Sequence, residues 1–490
     1  MLGFKWLRWW IILVISLEFV FGYLWILQPI GFLGLIYLAW YGIYRFAGHK
    51  PHLRRFLTAI LFALLLLPLG FYSSAATDAA WSLRHSSLFP VITVVTLIII
   101  SAIAVILSFC AKYNRITEKS MSLFLSLSIF VIVFSLYALT DTYLYNYSFG
   151  PYEYQPPLKT GDGWKVSTLE EERINSSIMD SVFQRVYNEE LGVFKAIVIA
   201  RNGRLVLESY HQLYNRNDLH FIASDVKSVI SLLVGIAHDK GFITDIDEPI
   251  FDFFPEHSDL KSENKSRITI RHLLTMTSGF VWDEFTYTHK DPRDDLYQMS
   301  MSEDAVRFVL ARNLEYEPGT YSEYITGNSF LLAAILKRAI NTSVEDFAEI
   351  YLFEPMDIMD YEWESLRDGS SKTPIGLFMK TRDMAKIGQL VLNRGIWDGQ
   401  QLVSEGWLAD STRPSEKSSR YGYQWWISNY TVDDRNIKTI EAHGYRGQYI
   451  FIYPELNATM AVTSGSSLQY TYWPFIEALN REFIHSMLEK

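Results

Sequence analysis

The sequence predicts an α-helical membrane bundle, followed by an α/β domain of the α+β kind whose antiparallel sheet is flanked by helices. Two observations support this fold class. Five long apolar runs fall within residues 1–140. In the rest of the chain, strand-like segments lie at both ends and helical segments lie between them. We therefore expect a membrane region at 1–140, a linker at 141–170 and a folded domain at 171–490.

The first part of the chain is predicted to contain about five transmembrane helices. Most of its apolar runs approach the roughly 20 residues that a helix needs to cross a bilayer. The runs lie at 9–27, 30–44, 56–74, 88–110 and 121–139. The first two are short and are separated by Pro29, so they form either one re-entrant hairpin or two spans. Glu18 is the only charged residue within the runs, which favours an anchor over a transporter.

Basic residues predict how these spans are oriented. They cluster at 5–8, 45–55 and 112–119, and five spans place all three clusters on one side of the bilayer. That side is cytoplasmic by the positive-inside rule. Four spans would put the third cluster and the large domain on conflicting sides. We therefore predict a multi-pass protein of the plasma (inner) membrane, with a cytoplasmic N-terminus and an extracytoplasmic domain.

The charge composition excludes one class of partner. The chain has 44 basic and 54 acidic residues, of which residues 1–140 hold ten and three. The remainder therefore carries 34 basic and 51 acidic residues, a net charge of −17. Such a domain is not a nucleic-acid binder, because phosphate neutralisation needs a basic patch. The single cysteine, Cys110, excludes an intrachain disulfide.

The segments after the linker predict the order of elements in the domain. An amphipathic helix at 171–190 precedes two apolar strands joined by Asn202 and Gly203, which is a strong hairpin signal. The later elements are a Trp- and Tyr-rich strand, a strand pair and a C-terminal helix, predicted at 421–427, 447–453, 458–464 and 475–488. The sheet is therefore expected to combine strands from both ends of the domain.

The most informative stretch of the domain is Ser224 and Lys227, ahead of the apolar run 229–237. Their spacing at the start of a helix places both side chains on one face. A serine nucleophile needs a neighbouring base, and a lysine can serve when burial lowers its pKa. The same spacing begins at Ser258 and Ser262, but both lie in a polar loop. Taken alone, this stretch favours a plainer interpretation, in which Ser224 is a helix N-cap and Lys227 extends to solvent.

Further motifs follow in order along the chain. They lie at 268–279, 282–284, 317–327, 380–389 and 443–450. Together with Ser224 and Lys227 they resemble the serine β-lactamase and penicillin-binding-protein-like hydrolases. The likeness is greatest to the class C-like branch that contains esterases and 6-aminohexanoate-dimer hydrolases. It extends from about residue 172 to 485, leaves out the membrane region, and implies a β-lactamase-like fold.

The resemblance implies roles for several residues. Tyr324, five residues beyond Gly319, stands where the family has its second basic group; the alternative is a packed core tyrosine. Lys227 is expected to lower the pKa of this phenol and to hold it in place. The oxyanion hole would consist of the backbone N–H groups of Ser224 and Tyr445.

The third family motif departs from its usual Lys-Thr-Gly pattern. Ala442 takes the place of the lysine, and His443 after it is either a pocket residue or a strand-end histidine. Gly444 is expected to let substrate approach the backbone closely. Arg446 is a candidate replacement cation, and Thr326 stands where the family often has asparagine. The expected substrate-binding residues are therefore Thr326, His443, Gly444 and Arg446.

These expectations describe a membrane-anchored serine hydrolase that cleaves an ester or amide bond through an acyl-enzyme on Ser224. Its expected partners are a small-molecule or peptide substrate and the lipid bilayer. No metal or cofactor is expected, because no His, Asp and Glu cluster has ligand spacing. The alternatives are a non-catalytic penicillin-binding-like sensor, a cell-wall D-peptidase or a β-lactamase. The presence of Ser224, Lys227 and Tyr324 together favours an enzyme.

Overall fold

The computed structural model describes residues 152–192, 194–211, 214–366, 372–465 and 469–488. The five predicted membrane spans lie outside these ranges, so their number and orientation stay predictions. Among the helices in the described ranges, none is both long and apolar enough to cross a bilayer.

A seven-stranded sheet forms the centre of the domain. In spatial order its strands are β1 (Lys165–Val166), β3 (Arg204–Tyr210), β2 (Phe194–Arg201), β12 (Ala458–Ser464), β11 (Gln448–Tyr453), β10 (Arg435–Gly444) and β9 (Trp426–Val432). The sheet combines strands from both ends of the domain, as predicted. It is mixed rather than wholly antiparallel, because the short β1 runs parallel to β3 at one edge. All other neighbouring strands are antiparallel.

Two smaller sheets complete the strand content of the described residues. One has the order β4 (His220–Phe221), β6 (Lys372–Met379) and β5 (Tyr361–Ser365), and the other pairs β7 (Ile396–Trp397) with β8 (Gln400–Gln401). The β4 strand matters for function because it leads directly into the turn that contains Ser224.

Ten α-helices lie in the described ranges. They are α1 (Ser176–Tyr187), α2 (Val226–Asp239), α3 (Ile270–Leu274), α4 (Asp295–Met301), α5 (Ala305–Leu310), α6 (Thr326–Ile340), α7 (Val344–Ala348), α8 (Thr381–Leu392), α9 (Glu405–Ser411) and α10 (Gln469–Leu488). The C-terminal helix begins before the predicted residue 475. It contains Pro474 in its second turn, where proline lacks the N–H that would donate to the carbonyl four residues earlier.

Helices cover both faces of the large sheet. Side chains alternate between the faces of a strand. In β2, Val198 and Ala200 therefore join the core that contains α2, α6 and α8. Ile197 and Ile199 join a second core that contains α1 and α10. A strand buried on both faces has no polar side of its own, which accounts for the nearly continuous apolar sequence of β2.

The predicted hairpin is confirmed at Asn202 and Gly203. These residues have φ angles of 52° and 73°, and Arg201 pairs with Arg204 on the opposite strand. Positive φ at both turn positions gives the twist that suits a two-residue hairpin, and glycine adopts it without a side-chain clash.

The strand predicted at 421–427 begins only at Trp426. Tyr421, Tyr423 and Trp425 are instead buried in the irregular segment that precedes β9. Their aromatic side chains fill the core without forming a regular strand. Composition alone could not separate these two outcomes, because both bury aromatic residues.

The described part of the predicted linker packs on the domain. Tyr152 stacks on Phe183 of α1 with ring centroids 5.2 Å apart. Farther along, Asp162 accepts from Arg382 Nε at 2.8 Å, and the same guanidinium pairs with Glu208 at 2.7 Å. These partners come from distant segments, so the Tyr-, Pro- and Gly-rich composition did not indicate them.

Helix α2 is the element that positions the candidate site. Its residues from Val226 to Ala237 are all buried, and it belongs to the same core as α6. Gly235 is required in this helix because a Cβ there would lie 2.4 Å from the indole of Trp407. This close packing holds α2 against α9, the helix that contains Trp407.

Candidate active site

Ser224 lies between β4 and α2, in the short helical turn Ala223–Asp225. Ala223 has a φ of 50°, in the left-handed region that non-glycine residues seldom adopt. Backbone strain of this kind persists only where the surrounding structure enforces it, and it is frequent at functional sites. The turn places Ser224 in the wall of a pocket.

Lys227 lies next to this serine and is buried. Its side chain is in the first turn of α2, and Nζ lies 2.7 Å from Ser224 Oγ. The residue is only 1% exposed. Burial lowers the pKa of Lys227 to about 8, although the nearby carboxyl group of Glu284 acts in the opposite direction. An amine with this pKa is partly neutral near physiological pH and can accept the serine proton.

Tyr324 completes the predicted group of three. Its phenol interacts with Ser224, which acts to lower the pKa of the phenol, and Lys227 Nζ lies 5.1 Å from the centre of its ring. The ring stacks on Trp426 with centroids 5.7 Å apart. Burial raises the pKa of Tyr324, and the negative charge of Glu284 acts in the same direction. The net shift of this pKa is thus upward, whereas the sequence analysis expected Lys227 to lower it, and a protonated phenol is suited to donate a proton.

Glu284 is a site residue that the sequence analysis missed. Its carboxylate accepts hydrogen bonds from Trp282 Nε1 at 2.6 Å, Thr326 Oγ1 at 2.8 Å and the Thr326 N–H at 3.1 Å. Burial raises the pKa of Glu284, while Lys227 and these donors act to lower it. The signal in the sequence is an acidic residue two positions after a tryptophan, at the end of an apolar segment. The Thr326 hydroxyl, expected to bind substrate, thus already donates to Glu284.

A cavity of about 500 Å³ opens beside Ser224. This volume lies within the usual range for small-molecule sites. Most lining side chains are aromatic or aliphatic, namely Phe221, Ala223, Phe285, Leu296, Tyr297, Tyr324, Ile375, Trp426 and Tyr445. The polar lining residues are Ser224, Glu284, His289, Ser300, Thr326 and His443. Among the described residues that line the cavity, none is lysine or arginine.

His443 is a pocket residue that a buried carboxylate holds. Its Nε2 lies 2.6 Å from Glu441 Oε2, and its ring stacks on Trp426 with centroids 5.3 Å apart. Burial alone would raise the pKa of Glu441, but the hydrogen bond and charge of His443 and the hydroxyls of Thr439 and Ser428 lower it overall. The imidazole is therefore fixed in orientation at the edge of the cavity.

The segment after His443 differs from the prediction in two ways. A close backbone approach does occur at Gly444, but its partner is the Ile222 carbonyl, which would lie 2.4 Å from an added Cβ. The glycine therefore lets the serine turn pack on β10. Tyr445 lines the cavity, whereas Arg446 is exposed and outside the lining, with its guanidinium 5.5 Å from the Tyr445 ring centre.

The other two Ser-x-x-Lys sequences do not form comparable pairs. Lys261 lies 3.9 Å from Asp252, and Lys265 donates to the Leu310 carbonyl at 2.7 Å. Both amines are thus directed away from serine hydroxyls. Within the described ranges, no group of three or more His, Cys, Asp and Glu side chains is placed to hold a metal ion.

Comparisons with known proteins match the domain to a family and to individual relatives. A family model described as Beta-lactamase matches residues 189–470. The 6-aminohexanoate-dimer hydrolase of Paenarthrobacter ureafaciens is 22% identical over 293 residues, which is 55% of this chain and 72% of that protein. A provisionally named D-alanyl-D-alanine carboxypeptidase of Salmonella typhimurium is 21% identical over 231 residues, or 38% of this chain. The alignment spans about half, 53%, of that relative's length.

Two solved structures share the fold. A Bacillus anthracis protein, provisionally named as a 6-aminohexanoate-dimer hydrolase, superposes with a TM-score of 0.53 and 20% identity, over 69% of this chain and 89% of that one. A hydrolase with promiscuous acyltransferase activity superposes with a TM-score of 0.52 and 14% identity, over 65% and 99%. The described domain is thus a β-lactamase-like α/β domain with a mixed sheet flanked by helices.

The pKa of Lys227 generates a prediction about the reactivity of Ser224. A base must be unprotonated, so the rate of Ser224 labelling by a fluorophosphonate should rise about tenfold per pH unit and level off above about pH 8. Lys227→Ala should abolish the rise, whereas Lys261→Ala, in the loop motif, should leave it unchanged. Labelling rates measured by mass spectrometry between pH 5 and 10 test this. A pH-independent rate in the parent protein would contradict it.

Proposed function

This chain belongs to the beta-lactamase family, and we propose that it is a serine hydrolase that cleaves an ester or amide bond through an acyl-enzyme on Ser224. The observation that carries the proposal is the buried Lys227 amine, 2.7 Å from Ser224 Oγ. A buried helix N-cap does not need a desolvated base beside it. An acyl-transfer nucleophile does.

The arrangement supports the following sequence of proton transfers. Ser224 Oγ attacks the substrate carbonyl carbon while its proton passes to Lys227 Nζ, giving an ammonium and a tetrahedral oxyanion. The N–H groups of Ser224 and Tyr445, two residues that line the cavity, are the proposed oxyanion donors. The proton then moves to the leaving group through the neutral Tyr324 phenol, which regains one from Lys227. Water releases the acyl group by the same steps in reverse.

The cavity favours a neutral substrate. Its described lining lacks lysine and arginine, and the acidic residue in it is Glu284. The carboxypeptidase relative is named for D-alanyl-D-alanine, whose free end is a carboxylate. Arg446, the cation that the sequence suggested for such a group, is exposed and outside the cavity lining. An ester or uncharged amide therefore suits this site better than a β-lactam or a D-peptide.

The lack of lysine and arginine in the described cavity lining leads to a prediction about substrate preference. A hydrogen bond to a charged group is worth roughly 1.5–3 kcal/mol, or about one to two powers of ten. We expect kcat/KM for p-nitrophenyl butyrate to exceed that for nitrocefin by at least this factor. Ser224→Ala should abolish both activities, whereas Ser258→Ala, in the loop motif, should retain them. Nitrocefin cleavage as efficient as ester cleavage would contradict the neutral-substrate proposal, and Arg446→Ala would then be the decisive variant.

The anchoring and orientation of the domain are part of the same proposal. The charge clusters and apolar runs of residues 1–140 support a multi-pass anchor with the domain outside the cytoplasm. An extracytoplasmic domain would meet substrates of the cell envelope or the medium, which include both esters and amides.

Reporter fusions test this orientation. Alkaline phosphatase fused after residue 160 should be active, because it would be exported, and the same enzyme fused after residue 50 should be inactive. A cytoplasm-only fluorescent reporter should give the opposite pattern at the two positions. Fluorescence at residue 160 would contradict the five-span topology.

A further inference from the structure

Two carboxyl groups are buried next to Ser224, and their surroundings differ. Asp225 is fully buried and Glu284 is 3% exposed. Glu284 accepts three hydrogen bonds, two of them from Thr326. Within the described part of the chain, neither oxygen of Asp225 has a hydrogen-bond partner. These two groups, in one site, are therefore expected to differ in charge.

The difference follows from the cost of burying charge. A buried carboxylate without donors takes up a proton, because only the neutral form tolerates the loss of water. Burial accordingly raises the pKa of Asp225 well above its usual range. Around Glu284, the nearby Lys227 and the donors from Trp282 and Thr326 oppose the effect of burial. The pKa of Glu284 remains raised overall, but its three donors and Lys227 favour an ionised Glu284 over an ionised Asp225, whose carboxyl has no donor in the described part of the chain.

Helix α6 adds a second reason for a negative charge on Glu284. The helix begins at Thr326, and the residue before it, Ile325, provides no side-chain cap. The Thr326 N–H donates to Glu284 instead, so this carboxylate caps a 15-residue helix from a distant loop. The positive end of the helix dipole stabilises an anion in that place.

We propose that Glu284 is a positioning residue for acyl transfer: its ionised carboxylate is the counter-charge of Lys227, while Asp225 remains neutral. The inference rests on the proposed serine hydrolase function. When Ser224 attacks, its O–H bond breaks and an N–H bond forms on Lys227, so a buried ammonium develops. Glu284 stabilises that ammonium without exchanging a proton itself. Lys227 is thereby a stronger base than burial alone would allow.

The test replaces each of the two carboxyl groups by the amide of equal shape. In Glu284→Gln, the amide oxygen can accept from Trp282 and the Thr326 N–H, and the amide N–H₂ can donate to Thr326 Oγ1. The substitution therefore preserves the hydrogen bonds and removes only the charge. Asp225→Asn replaces a neutral acid by a neutral amide and is the matched control. Glu284→Asp keeps the charge and is the conservative rescue variant.

The readout is the pH profile of kcat/KM for p-nitrophenyl butyrate between pH 5 and 10. In Glu284→Gln, loss of the nearby negative charge should shift the rising limb to lower pH by roughly 1 unit or more. Its plateau should also fall, because a weaker base accepts the serine proton less readily. The limb should stay in place in Asp225→Asn and lie closer to that of the parent protein in Glu284→Asp.

Thermal unfolding of each variant, compared with the pH profiles, separates an electrostatic role from a structural one. A loss of helix capping alone would lower the melting temperature without moving the limb. An unmoved limb in folded Glu284→Gln, an equal shift in Glu284→Asp, or a shift in Asp225→Asn alone would overturn the inference. If the parent protein hydrolyses no ester or amide, the proposed function itself fails. That result is distinguishable from all of these.

Discussion

Burial of the Lys227 amine is the constraint on which the site depends. An ammonium taken out of water costs several kcal/mol unless it is paired, and this residue is 1% exposed. The domain accommodates it by lowering its pKa to about 8 and by placing Nζ 2.7 Å from Ser224 Oγ. Part of the Lys227 amine is then neutral at physiological pH and can act as a base. The same burial acts on Tyr324 in the opposite sense, because it keeps the phenol protonated, so the two groups can serve as a base and an acid.

Such a base is useful only if the serine turn is held in place, and three separate segments hold it. The Ile222 N–H donates to the Leu377 carbonyl of β6 at 3.0 Å. The Ile222 carbonyl packs so closely on Gly444 of β10 that no side chain fits there. Within α2, Ser228 Oγ donates to the Gln424 carbonyl at 2.7 Å. Strands β6 and β10, helix α2 and the segment before β9 therefore meet around one strained turn.

Local patterns in the sequence predicted what contiguous residues determine. These include the hairpin at Asn202, the strands from both ends of the sheet, and the spacing of Ser224 and Lys227. The features that the sequence did not predict depend on contacts between residues that lie far apart in the chain. The role of Glu284 arises from donors on α6 and from a buried tryptophan, and the high pKa of Tyr324 arises from packing on β9. Likewise, the parallel edge strand and the position of Arg446 outside the cavity follow from tertiary geometry rather than from composition. The membrane topology remains a prediction from charge and hydropathy.

The covalent intermediate is the most direct test of the account. The protein would be mixed with p-nitrophenyl butyrate, quenched in acid during the first turnover, and analysed by intact mass and peptide mapping. An acyl-enzyme mechanism predicts one butyryl group, carried by the peptide that contains Ser224 and absent in Ser224→Ala. A butyryl group on any other residue, or hydrolysis by Ser224→Ala at the parental rate, would contradict it.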